Sequence, residues 1–226
     1  PMPLEKQSMH APALPSWGAS AIASANDITG SVTSPYLTAP AFTTKNAGKT
    51  STAVATPVSA QLPDAIGGAV LRDAALKGNP GAAYEVGLRY AEGKGVQVNF
   101  DEAAKWYERA AQGDIVPAMF RLGTLYEKGL GVPKDADIAG RYYRQAAERG
   151  NAKAMHNLAV LEADGGGKTP NYKNAAEWFQ KAAERGVADS QFNLAILYAR
   201  GIGVEQNLAE SYKWFSLAAA QGDADS

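Results

Sequence analysis

The chain has 226 residues, 46% of them hydrophobic and 20% charged, with a formal net charge of −1 and no cysteine. This length gives one or two domains with a sizeable core. The near-neutral charge argues against a nucleic-acid binder, and the lack of cysteine excludes disulfides, thiolate zinc sites and cysteine nucleophiles. The two histidines, His10 and His156, are too few and too far apart in sequence to suggest a histidine metal site.

Residues 1–62 carry five charges (Glu5, Lys6, Asp27, Lys45 and Lys49) and seven of the twelve prolines, and 35 of the 62 are Ala, Ser, Thr or Pro. Ordering a backbone costs about 1–2 kcal/mol per residue. Few large apolar side chains are present to offset that cost, so the arm is expected to be a disordered linker. Its uncharged run from Gln7 to Asn26 is interrupted by Pro12, Pro15 and several polar residues, and is too polar to span a membrane as a helix. A signal peptide would need a basic start and a Leu-rich run, and neither is present. The chain starts at Pro1, so it reads as a fragment, and any anchor or targeting segment is expected upstream of it.

From residue 63 the sequence repeats itself. A half-unit comes first: Leu71, Ala74, Ala75 and Gly78 are spaced like the end of a second helix, which predicts a capping helix over 64–77. Four full units follow at about 79–113, 114–150, 151–186 and 187–222. The aromatic pairs Trp106-Tyr107, Tyr142-Tyr143, Trp178-Phe179 and Trp214-Phe215 recur every 36 residues. The column Gly87, Gly123, Ala159 and Ala195 keeps the same step. Each unit reads as two helices, the first at about 81–92, 117–128, 152–163 and 188–199, with apolar positions three and four apart. These helices end at Gly93, Gly129, Gly165 and Gly201, where glycine tolerates a left-handed backbone. The second helices begin after Asn99, Asp135, Asn171 and Asn207, all good N-cap residues. They carry the aromatic pair and an Ala-Ala pair, and end at Gly113, Gly150, Gly186 and Gly222. The first of these glycines comes one residue early, and an extra residue near Val116-Pro117 restores the step.

The pattern Ala118-x-x-x-Leu122-Gly123-x-x-Tyr126-x-x-Gly129-x-Gly131-Val132, followed by the aromatic pair and Ala-Ala, resembles the Sel-one-like repeat, a tetratricopeptide-like family. The resemblance covers about 79–222. It implies an all-α solenoid of four helix-turn-helix units plus a capping helix, wound as a right-handed superhelix. The third unit departs from the pattern, with Glu162 in place of a tyrosine and Gly165-Gly166-Gly167-Lys168 in place of Gly-x-Gly-Val, so its turn is expected to be looser. The strings running from Asn151 to Val160 and from Gly203 to Trp214 are similar to the periplasmic repeat region of alphaproteobacterial polar organelle development factors. That similarity implies a periplasmic cell-polarity scaffold with a membrane anchor upstream and a peptidoglycan-binding module downstream.

Gly167-Lys168-Thr169 suggests a phosphate loop, but that motif needs a glycine where Glu162 stands, and a strand before it. The acidic residues near helix starts suit the helix dipole. No Ser-His-Asp or metal constellation can be assembled, so neither enzyme activity nor a cofactor is expected. A binding surface remains. First helices line the concave face of such stacks, and their candidate contact residues are the column Tyr84, Phe120, His156 and Phe192 with its neighbours Glu85, Arg121, Asn157 and Asn193. These residues either hold a peptide or helix from a protein partner or pack adjacent units together. The function implied is a non-enzymatic protein-interaction scaffold. Direct peptidoglycan binding is the rival reading. A third reading, a β-lactam-binding enzyme of the repeat class, is disfavoured because its disulfide-braced units need cysteine.

Overall fold

A computed structural model describes residues 61–224 of the chain. A 3-10 turn at Asp64–Ile66 leads into α1 (Ala69–Leu76). Four helix pairs follow: α2 (Pro80–Glu92) with α3 (Phe100–Gln112), α4 (Val116–Lys128) with α5 (Ala136–Glu148), α6 (Ala152–Asp164) with α7 (Tyr172–Ala183), and α8 (Ala188–Arg200) with α9 (Leu208–Ala224). Among the described residues, the substantial helix–helix contacts join helices consecutive in the chain.

Local chemistry sets these boundaries. The Oδ1 atoms of Asn99, Asp135, Asn171 and Asn207 accept from the backbone N–H groups of Glu102, Ile138, Asn174 and Glu210 at 3.1, 2.8, 3.1 and 3.0 Å. Each such cap contributes about 1 kcal/mol. Asn79 and Asn151 cap α2 and α6 in the same way. At the other end of the first helices, Gly93, Gly129, Gly165 and Gly201 all adopt the left-handed conformation, which costs glycine no Cβ clash.

Three boundaries differ from the sequence reading. The half-unit at 64–77 is split rather than one helix, because Gly67 and Gly68 separate the 3-10 turn from α1. Arg72 braces this segment by donating to the Asp64 and Gly67 carbonyls at 2.9 and 2.8 Å. The repeat also does not slip at Gly113. That residue has φ −91°, and Asp114 takes the left-handed position with φ +60°. Asp114 falls in step with Gly78, Gly150 and Gly186, whose φ values are +86°, +93° and +82°. Finally, α9 continues through Gly222 to Ala224. Glycine disfavours a helix without forbidding it, and Gln221 ties this last turn to Gln191 of α8 at 2.8 Å.

The linker expected over 1–62 lies outside the described residues except for its last two. Of these, Leu62 is buried in the core. The core itself is built from the repeating aromatic and small residues. Trp106, Tyr107, Tyr143 and Phe179 are fully buried, as are Ala110, Ala146 and Ala182. Burying each large side chain contributes about 1.5–3 kcal/mol, and the alanines give neighbouring helices room to approach. The glycine at 123 is needed for the same reason: a methyl there would lie 2.6 Å from the Tyr143 ring.

Candidate binding surface

The first-helix column packs against the second aromatic of each pair. The ring centroids of Tyr84 and Tyr107 are 5.7 Å apart, those of Phe120 and Tyr143 5.9 Å, those of His156 and Phe179 5.8 Å, and those of Phe192 and Phe215 5.3 Å. These are ordinary separations for favourable aromatic pairs. Exposure, however, differs along the column. Tyr84 and His156 are buried and Phe120 is half-buried, whereas Phe192 is 50% exposed. Phe192 belongs to the last described unit, and no further first helix lies over it among the described residues.

The neighbouring column is mostly engaged internally. Glu85 accepts from Arg89 Nε at 2.8 Å, and Arg89 Nη1 donates to the Ile66 carbonyl at 3.0 Å, which ties α2 to the 3-10 turn. Arg121 and Asn193 are buried, and Asn157 is half-buried beside the Tyr143 hydroxyl. The eight predicted residues therefore form a seam that recurs on the first helix of each unit, with each ring of the column packed on its own unit's second helix. Its accessible members are Phe192, and in part Phe120, Glu85 and Asn157.

The seam holds polar contacts that the sequence reading did not anticipate. His156 Nδ1 lies 2.8 Å from Ser190 Oγ in the interior, across the junction of the third and fourth units. Burial pushes the His156 pKa below its ordinary value, and the Asp189 carboxylate opposes this more weakly. Ser190 stands where the other units have Ala82, Ala118 and Ala154, so its departure from that column was the available signal. In the second unit the Tyr143 hydroxyl is 2.6 Å from Glu127 Oε2 and 3.3 Å from Thr124 Oγ1. Burial and the adjacent Glu127 carboxylate both raise the pKa of that phenol.

No group of His, Cys, Asp or Glu among the described residues is arranged to hold a metal ion, and none of the described helices is long and apolar enough to cross a membrane.

Residues 80–114, 116–151, 152–187 and 188–223 each match the Sel1 repeat. The chain belongs to the Sel1-repeat family. Sel1 repeats are typically non-catalytic modules that mediate protein interactions. No curated protein matches the chain. Among solved structures it is similar to c5321, a protective antigen of uropathogenic Escherichia coli strains displaying an SLR fold, with 38% identity and a TM-score of 0.65 over 67% of this chain. It is also similar to a Sel1 repeat protein from Oxalobacter formigenes, with 35% identity and a TM-score of 0.61 over 65% of this chain. The match spans 32% of the first protein's chain and 60% of the second's. The all-helical stack of four Sel1 units preceded by an N-terminal helix agrees with the fold expected from the sequence.

Proposed function

We propose that this chain is a non-enzymatic protein-interaction scaffold, the periplasmic part of a bacterial polar localization factor resembling PodJ. The observation that carries the scaffold reading is the first-helix seam. It runs through four stacked units and leaves Phe192 half exposed, with Phe120 and Asn157 partly accessible beside it. Aromatic side chains flanked by amide groups suit the capture of a peptide or helix from a protein partner. The placement in the periplasm and at a cell pole rests on the similarity of two sequence strings and on the Pro/Ala/Thr-rich arm.

The rival is direct contact with peptidoglycan glycan, a chemistry that favours exposed tryptophan. Trp106 and Trp214 are buried, and Trp178 is half-buried with Lys181 Nζ 4.0 Å from its ring centroid. These placements favour the scaffold.

Proximity labelling with the wild type and a Phe120→Ala/Phe192→Ala variant tests the reading. The expected result is a folded variant, checked by circular dichroism, that loses specific protein neighbours. If the folded variant keeps every neighbour, the seam is not the contact surface. A fusion to alkaline phosphatase, which is active only outside the cytoplasm, tests the compartment. Cosedimentation of the purified chain with peptidoglycan would favour the rival.

A further inference from the structure

The third unit departs from the other units at several positions, and three of these departures meet in one cleft. Glu162 stands where the second and fourth units have Tyr126 and Tyr198, Gly166 where they have Leu130 and Ile202, and Lys168 where they have Val132 and Val204. Leu130, Val132, Ile202 and Val204 are half-buried and pack on the core, filling the space between the turn and the helices beside it. Glycine and lysine leave that space open in the third unit, as a cleft of about 370 Å³ between α5 and the end of α6. Gly167 records the same loosening. A side chain at Gly131 or Gly203 would overlap the backbone at the start of the preceding unit's second helix, whereas one at Gly167 would meet nothing within 4 Å.

The charges lining this cleft do not balance. Arg144 pairs with Glu162 at 2.8 Å, and Lys168 pairs with Asp137. Arg141, one turn along α5 from Asp137, also lines the cleft and has no carboxylate partner among the described residues. The lining therefore carries one surplus positive charge, and Leu158 and Leu161 supply an apolar wall. A guanidinium in such a place suits the fork geometry of a carboxylate. A phosphate dianion would face Asp137 and Glu162 with more charge than Arg141 alone offsets.

We propose that this cleft binds a single peptide carboxylate, either an acidic side chain or a free C-terminus, with Arg141 as its main ligand. The site uses different residues from the first-helix seam and stands or falls separately from the scaffold reading. Pockets of this size lie at the small end of the range for ligand sites, so the affinity is expected to be modest.

The test is an NMR titration of the full-length 15N-labelled chain, following the amides of Gly165, Gly166 and Lys168. The probes are acetyl-Ala-Glu-Ala-amide and acetyl-Ala-Ala-Ala with a free carboxylate, each compared with its neutral Gln or amide counterpart, and inorganic phosphate. Saturable shifts are expected with a carboxylate peptide and not with its neutral counterpart, and the responding peptide identifies the source of the carboxylate. Arg141→Gln, at an exposed position, should keep the fold and weaken binding roughly tenfold or more. Lys168→Val, which restores the residue of the neighbouring units, should also weaken it. Four results would each overturn the proposal: no shift with either carboxylate peptide, equal shifts with the neutral peptides, unchanged affinity in Arg141→Gln, or tighter binding of phosphate.

Discussion

His156 and Ser190 lie 34 residues apart in sequence and meet in the interior, with 2.8 Å between the imidazole Nδ1 and the serine Oγ. Burial lowers the imidazole pKa, so the folded chain holds His156 neutral at a pH where the unfolded chain already binds a proton. The stability this group contributes is complete above its unfolded pKa of about 6.5, and it is lost progressively as the pH falls toward the lower folded value. Urea unfolding between pH 7 and pH 5 should therefore show a falling midpoint. In the variant His156→Phe/Ser190→Ala, which restores the aromatic and alanine of the other units, that fall should be smaller. Equal slopes in the two proteins would mean that the buried pair does not titrate as argued.

Two tyrosines at equivalent positions should respond oppositely to loss of the hydroxyl. Tyr143 donates to Glu127, but the buried Tyr107 hydroxyl has no hydrogen-bond partner among the described residues, because Leu88 and Ala91 stand where the second unit has Thr124 and Glu127. The third and fourth units, with Val160, Ala163, Ile196 and Ala199 at those places, already use Phe179 and Phe215. Tyr143→Phe should cost about 1–2 kcal/mol, since it removes a bond to a charged group. Tyr107→Phe should be neutral or stabilising. Chemical denaturation of both variants checks the contrast, and equal losses would contradict it.

Asp114 holds a left-handed backbone where three equivalent positions have glycine. Its side chain pairs with Arg149 at 2.8 Å but is 75% exposed, and so contributes little. Relieving the backbone should outweigh both that pair and the extra chain entropy of glycine. Asp114→Gly is expected to stabilise by about 0.5–1 kcal/mol, seen as a raised Tm. A lowered Tm would show that the Arg149 contact matters more than the backbone.

The 36-residue period, the Asn/Asp caps and the glycine stops were legible because each follows a local rule of backbone geometry that acts over three or four residues. Asp114 is not legible as a helix stop because glycine is the residue that marks a left-handed position, and an aspartate takes the same conformation only at some cost. The exposure of the seam was not legible, since Tyr84, His156 and Phe192 share one helix position and differ only in what the following unit lays over them. Ser190 gave a faint signal in its alanine column, but its partner His156 is reached only through the packing of two units. The cleft was least legible of all. It arises from side chains that the third unit lacks, and the looser turn expected from Gly165–Lys168 carried no information about where Arg141 and Arg144 stand.

Because each helix leans mainly on the helices before and after it in the chain, the stack is a row of joints rather than one shared core. A change at one joint is felt by the two units that meet there and hardly by the rest. The third unit could therefore exchange a tyrosine and two apolar turn residues for Glu162, Gly166 and Lys168 without disturbing the joint between the first and second units. Novelty is affordable in such a protein one joint at a time.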